Sequence, residues 1–310
     1  MTAIFSSLMR ARLYLSFPPN QRPAYARSIS VSFGVAGPRF ENNARSANCY
    51  DCAPAPAARR MKNCIQIIPL AGLPEIAPGD DLSRLIAEAV KRQDVRISDG
   101  DIFVVAHKIV SKAEGKIVRL DSIQPSKRAE QWAAEYQKDA RVIELVLGEA
   151  SRIVRMERGV IVAETRHGFV CANAGVDVSN APEGTAILLP EDADRSARAL
   201  QTQLQKDFGV HVAVIIADSF GRPWREGLVN VALGVAGIAP LVDYRGTRDA
   251  SGRTLQATVI AKADELAAAA ELVMGKTDRV PVAILRGVAS GEESGSGRDL
   301  IRPAATDIFR

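Results

Sequence analysis

The chain has 310 residues and is 47% hydrophobic, enough for one or two domains with a sizeable core, and no uninterrupted apolar run approaches the roughly 18 residues of a membrane-spanning helix. Its net charge of +4 is unevenly placed: residues 1–60 hold eight Arg, no Lys and two acids (Glu41 and Asp51), while residues 61–310 hold 32 basic against 34 acidic side chains. By charge, the body of the protein is no binder of polyanions or nucleic acid.

Residues 1–60 are rich in Ser, Ala, Pro, Asn and Arg and show little amphipathic periodicity. Arg-rich, acid-poor composition is that of a mitochondrial transit peptide. The competing reading, adopted here, places the true start at Met61 and makes 1–60 a leader that is disordered or wrongly joined to the chain, with 61–310 as the folded catalytic region. Cys49 and Cys52 form a C-x-x-C, but no second pair completes a zinc site. Cys64 and Cys171 lie in apolar runs and read as packed thiols, not as parts of a disulfide scaffold.

From Met61 onward, apolar strands alternate with amphipathic helices. "CIQIIPL" (64–70) predicts a strand, followed by the turn "AGLPEIAPGD". Asp80 or Asp81 can cap a helix that places Leu82, Leu85, Ile86, Ala89 and Val90 on one face. "DIFVVAHKIV" (101–110) predicts a buried strand, and "KRAEQWAAEYQ" and "ARVIELVLGEA" predict helices. "GVIVAET" and "GFVCANAGV" read as the two strands of a hairpin, and 192–207 as a further helix. "VHVAVIIADS" (210–219) is a strand delivering Asp218 at its end. "TLQATVIAKADELAAAAELVMG" passes from strand to helix, and "VPVAILRG" closes the series. This is a mixed α/β pattern without the regular repeat of a Rossmann domain. "SGEESGSGRDL" lacks the strand-then-helix setting of a dinucleotide fingerprint and reads as a flexible loop.

Gly275-Lys276-Thr277 has the look of a P-loop ending, but the glycine required five residues earlier is Ala270, inside a helical pattern. Gly275 therefore closes a helix. Chemistry is suggested elsewhere. "VIIADSFGRPWREG" offers Asp218, Ser219, Arg222 and Arg225 after an apolar strand, and "CANAGVDVSNAPEG" offers Asp177, Ser179 and Asn180. Carboxylates beside hydroxyls suit Mg²⁺ or Mn²⁺, which take hard oxygen ligands and bring phosphates. The plain alternative is that Asp177 and Asn180 form Asx-turns and Asp218 pairs with Arg222. "AHKIVSKAEGK" adds His107, Lys108, Ser111, Lys112 and Lys116, which either neutralise a triphosphate or form a solvated turn. No Ser or Cys nucleophile motif accompanies His107, so a general-base role is not adopted. His167 and His211 have no ligand spacing. The residues reach as far as a metal-dependent enzyme acting on a phosphorylated compound.

The blocks "GLPEIAPGDDL", "VVAHKIVSKAEGKIVRL", "NAGVDVSN", "VIIADSFGRPWREG", "DASGRTL", "KADELAAAAELVMG", "VPVAILRG" and "RDLIRPAATDIFR", in this order, resemble the coenzyme F420-0:L-glutamate ligases, or F420 γ-glutamyl ligases. The resemblance runs from about residue 65 to the end. It implies a two-lobed, ligase-like α/β (mixed α+β) fold, neither Rossmann nor P-loop, in a cytoplasmic homodimer without nucleic-acid or membrane partners. No nitroreductase-like extension, as in some two-domain relatives, is expected. The implied reaction uses GTP to phosphorylate the terminal carboxylate of F420-0, and L-glutamate then attacks the acyl phosphate, with γ-linked extension in later rounds. Mg²⁺ or Mn²⁺ is implied, with K⁺ as a further cation. Asp177 and Asp218 match the catalytic and metal positions, and Ser219 a third metal position. Leu73, Pro74, Glu75, Ile76, His107, Lys108, Lys112 and Asn180 match GTP-contact positions. Met274, Gly275, Lys276, Thr277, Asp278, Arg279 and Val280 match a loop around the nucleotide phosphates. Lys276 stands where relatives can carry a metal-binding Glu, which puts a third carboxylate in question. The other readings kept open are a phosphoryl-activating ligase for another carboxylate and a nucleotide-binding regulator without turnover.

Because residues 1–60 carry no core-forming pattern, a chain beginning at Met61 should melt at the same temperature as the full chain. A lower melting midpoint by calorimetry would place the leader within the fold.

Overall fold

The computed structural model describes residues 64–288 and 295–307; the leader over 1–60 and its C-x-x-C lie outside them. The described chain begins with β1 (Gln66–Leu70), α1 (Leu82–Arg92), β2 (Asp101–Ala106) and α2 (His107–Ala113). A second stretch holds β3 (Ile117–Arg119), α3 (Lys127–Tyr136), α4 (Ala140–Glu149), β4 (Ala150–Glu157), β5 (Val160–Thr165), β6 (Val170–Ala172) and β7 (Thr185–Ile187). The last holds α5 (Ala193–Phe208), β8 (Val212–Arg222), β9 (Arg225–Ala236), β10 (Val242–Asp243), β11 (Val259–Ile260), α6 (Lys262–Met274) and β12 (Val282–Arg286). This is a mixed α/β fold, and it is neither a Rossmann nor a P-loop architecture.

The main sheet has the order β1-β12-β2-β8-β9, and its single parallel pairing joins β2 to β8. Both faces of this sheet are covered, as the near-continuous apolar runs of β2 and β8 require. Alternation along β2 sends Phe103 and Val105 into a core shared with α1 and α5, where Leu85, Ile86, Leu200 and Leu204 pack. Ile102 and Val104 point the other way, towards Leu266, Ala267, Ala270 and Met274 of α6. A separate, smaller core joins Ile143 and Val146 of α4 to Ile161 and Ala163 of β5, beneath Ala186 and Leu188.

Asp81 caps α1, accepting a bond from the Arg84 amide at 3.1 Å, and Lys91 and Arg92 suit the negative end of the helix dipole. The predicted apolar face of α1 is buried throughout. The expected strand over 101–110 is corrected: it ends at Ala106, and the chain turns at once into α2. Asp218 likewise lies inside β8, not at its end, because the strand continues to Arg222 and folds back as the hairpin partner β9. The strand expected before α6 shrinks to the two residues of β11. The end of the "SGEESGSGRDL" segment also departs from a loop: Gly297–Leu300 form a 3₁₀ turn capped by Ser296. Gly275 does end α6, with φ 59° and ψ −179°, a region open essentially to glycine alone. Ala270 is buried within the helix. No described helix is long and apolar enough to cross a membrane.

One ion pair locks the far end of the sheet. Arg286 grips Asp101 (1% exposed) through Nε at 2.9 Å and Nη2 at 2.6 Å, and also donates to the Arg96 carbonyl. The neighbouring Asp101 carboxylate raises the Arg286 pKa above its ordinary value. Asp101→Ala leaves this guanidinium without its counter-charge and should cost about 3 kcal/mol, read as a lower urea midpoint at unchanged slope.

Candidate functional site

The site is assembled by strand register. Ala106 of β2 pairs with Ala217 of β8 in parallel, so the next residues, His107 and Asp218, leave the pairing side by side. β2 breaks into α2 while β8 runs on, and His107 Nε2 stands 3.2 Å from Asp218 Oδ1. His107 is only 2% exposed and its Nδ1 has no protein partner. Burial pushes the Asp218 carboxyl up, but the adjoining His107 and the Ser219 amide together hold it below the usual carboxylate range. His107 is thus engaged with Asp218 through one ring nitrogen.

Lys108 extends to the other carboxylate. Its Nζ lies 2.7 Å from Asp177 Oδ2 and donates to the Ser179 hydroxyl at 2.7 Å and carbonyl at 3.0 Å. Asp177 also accepts the Ser179 amide at 2.6 Å, so the plain Asx-turn alternative is realised at this residue. Burial would raise the Asp177 carboxyl, but the Lys108 ammonium and the Ser179 amide keep it below its ordinary range. Lys112, one helical turn beyond Lys108, is buried and pairs with Glu75. That pair fastens the Leu73–Ile76 segment to α2, with Ile76 and Leu73 packed into the main core and Pro74 and Glu75 exposed.

Ser219 adds a third group. Its hydroxyl donates to Asn230 of β9 at 2.6 Å, and Asn230 donates through Nδ2 to Glu271 of α6 at 2.8 Å. Lys276, in the loop after α6, donates to Ser219 Oγ and lies 3.3 Å from Glu271 Oε1. The 274–280 loop is therefore fastened beside Asp218, with Met274 buried, Val280 half-buried, and Gly275, Thr277, Asp278 and Arg279 exposed. Asn180 follows Ser179, exposed, in the left-handed conformation that Asn tolerates. Asn230 and Glu271 were not among the expected residues. The one available signal was Asn230, a lone polar side chain in the apolar run "LVNVALGVA".

Arg222 does not pair with Asp218; it donates to the Glu226 carbonyl across the hairpin. Cys171 is buried in β6, and burial together with the nearby Asp218 charge pushes its thiol up to about 12, so it offers no thiolate. Cys64 is only half-buried, short of the packed thiol expected. Among the described residues, no group of three or more His, Cys, Asp or Glu side chains gathers around one metal position. The side-chain oxygens of Asp177, Asp218 and Ser219 are of the hard-donor kind that Mg²⁺ or Mn²⁺ takes.

Ionised carboxylates and tethered ammonium groups are thus gathered where β2 and β8 diverge in a mixed α/β fold. The F420-0:Gamma-glutamyl ligase family model matches residues 72–287. The Coenzyme F420:L-glutamate ligase of Methanothermobacter thermautotrophicus is 49% identical over 249 residues, which is 79% of this chain and 99% of that protein. The protein of that name from Methanopyrus kandleri is 49% identical over 241 residues, covering 76% and 94%. That from Methanocaldococcus jannaschii is 45% identical over 254 residues, covering 81% and 99%. The chain belongs to the F420-0:Gamma-glutamyl ligase family.

Lys108→Met removes the ammonium that offsets burial of Asp177. The titration midpoint of Asp177, followed by carboxyl-carbon NMR, should move upward. An unmoved midpoint would mean that the Ser179 amide alone sets it.

Proposed function

We propose that this protein is a GTP-dependent ligase that joins L-glutamate to F420-0 and extends the product through γ-linked glutamates, working as a cytoplasmic homodimer. The observation that carries this reading is the match, over 99% of its length, to a protein named Coenzyme F420:L-glutamate ligase. Amide formation in water needs the carboxylate oxygen converted into a leaving group. In the proposed sequence a terminal carboxylate oxygen of F420-0 attacks the γ-phosphorus, forming an O–P bond as the bond to GDP breaks. The α-amine of glutamate then attacks the carbonyl carbon, phosphate departs with the C–O electrons, and the amine gives up a proton. Neither step needs a protein nucleophile, and the Ser219 proton is already committed to Asn230.

The chain's contribution is placement and charge. Lys108 and Lys112 present ammonium groups from one face of α2, suited to phosphate oxygens as point charges. Glu75 holds the Leu73–Ile76 segment against that face, and the Met274–Val280 loop is tied through Lys276 to Ser219, next to Asp218. Asp177 and Asp218, with the Ser219 hydroxyl, would hold Mg²⁺ or Mn²⁺; K⁺ is a further cation in this reading. A divalent ion bound there would neutralise charge on the nucleotide phosphates. His107 keeps Asp218 ionised and aimed.

Purified protein given GTP and Mn²⁺ should release GDP and phosphate only when F420-0 and glutamate are both present, with mass spectrometry showing the glutamylated product. Release with another carboxylate instead would favour a related ligase. Asp218→Asn should lower turnover about a hundredfold or more, roughly 3 kcal/mol of transition-state stabilisation. Turnover within about tenfold of the parent would remove Asp218 from the metal position.

A further inference from the structure

We propose that Lys276 serves as a built-in cation: its ammonium holds the corner between Ser219 and Glu271, and the site takes a single divalent ion, on the Asp218 side of Ser219. The inference rests on the metal–nucleotide reading above and deepens it.

Hydrogen-bond direction fixes the arrangement. The Glu271 carboxylate can only accept, so the amide NH₂ of Asn230 must face it, at 2.8 Å. The carbonyl of Asn230 must then face Ser219, at 2.6 Å, and it can only accept. The Ser219 proton is consequently spent on Asn230, and both its lone pairs are available to cations. Asn230 is 4% exposed, so this orientation is held by burial at both ends. One lone pair receives the Lys276 ammonium, which also faces Glu271 Oε1 at 3.3 Å. The other is left for the side of Asp218, whose Oδ1 accepts the Ser219 amide at 2.6 Å.

Ser219 therefore stands between two cation positions with different owners. On the Asp218 side the donors are carboxylates whose charge suits a divalent ion. On the Glu271 side the chain supplies its own positive charge. A second divalent ion there would have to displace an ammonium already seated on the same two oxygens, and the repulsion between them is strong at this range. The Lys276 side chain is 58% exposed, so its ammonium can also meet a phosphate from the open side while Glu271 keeps it within the corner. The short chain Glu271–Asn230–Ser219 is then the support for that cation, and Asn230 and Glu271 are positioning residues.

The test is equilibrium dialysis against Mn²⁺ and a non-hydrolysable GTP analogue, counting metal and nucleotide per chain in the same sample. The full chain should retain about one Mn²⁺ and the Lys276→Glu variant about two; Asp218→Asn should lose the single ion. Lys276 lies on an exposed loop, so its substitution leaves the cores intact. About two Mn²⁺ in the parent chain, or about one in Lys276→Glu, overturns the inference while leaving the nucleotide reading standing. Absence of retained nucleotide and metal in every sample overturns both.

Discussion

The register of one parallel strand pair determines the site. Side chains alternate between faces along a strand, so a slip of one residue between β2 and β8 would send Asp218 to the opposite face from His107. That register is itself fixed by the two cores: Phe103, Val105, Val214 and Ile216 serve one face, and Ile102, Val104, Ala213 and Ile215 the other. Hydrophobic sorting over six paired positions thereby sets the position of a carboxylate that takes no part in that packing. The two strands then diverge in behaviour at the same level, one curling into a helix and one running on. This leaves His107, Lys108 and Asp218 grouped at the divergence, with Asp177 brought in by the bridge from Asp177 to Ile187.

Electrostatic pairing within the protein compensates the charges of this group. Asp177 and Asp218 are each held ionised by a basic side chain and by a backbone amide one or two residues along. The lysines in turn are held by carboxylates, so no bare charge has to be buried as the chain folds. In the proposed function such pairs are exchanged for substrate phosphates with little net desolvation, because a counter-charge is replaced and not created. Rigid placement comes from the sheet and α2, whereas the 274–280 loop is attached through side chains and the end of a helix.

Much of this was legible in the sequence, and the limits have identifiable causes. The elements with strong period or caps, such as α1 with its Asp81 cap and the apolar strands of β8 and β12, are where the pattern places them. α2 was hidden because Ala106 provides no side-chain cap and Ile109 and Val110 favour strands. β9 was passed over since Gly221-Arg222-Pro223-Trp224 reads as the start of a loop, although Pro223 and Trp224 alone make the hairpin turn between Arg222 and Arg225. The acids of the site were visible as residues, but their partners were not: His107–Asp218 and Lys108–Asp177 are long-range contacts that local pattern cannot encode. Asn230 and Glu271 lacked any motif. Their significance appears only when β9 and α6 lie against each other.

The sheet order has a consequence for synthesis. β12 is the last of the five strands to be made, yet it lies between the two earliest, β1 and β2. A chain growing on the ribosome must therefore hold both of those apolar strands with unpaired edges until residue 286 has emerged. β8 and β9 can form their hairpin locally beforehand, and β2 can join β8, but β1 has no partner in the sheet except β12. The exposed edge of an incomplete sheet is a template for pairing with other chains. Demand for chaperone protection should accordingly last through most of translation, and it ends when Arg286 arrives to meet Asp101.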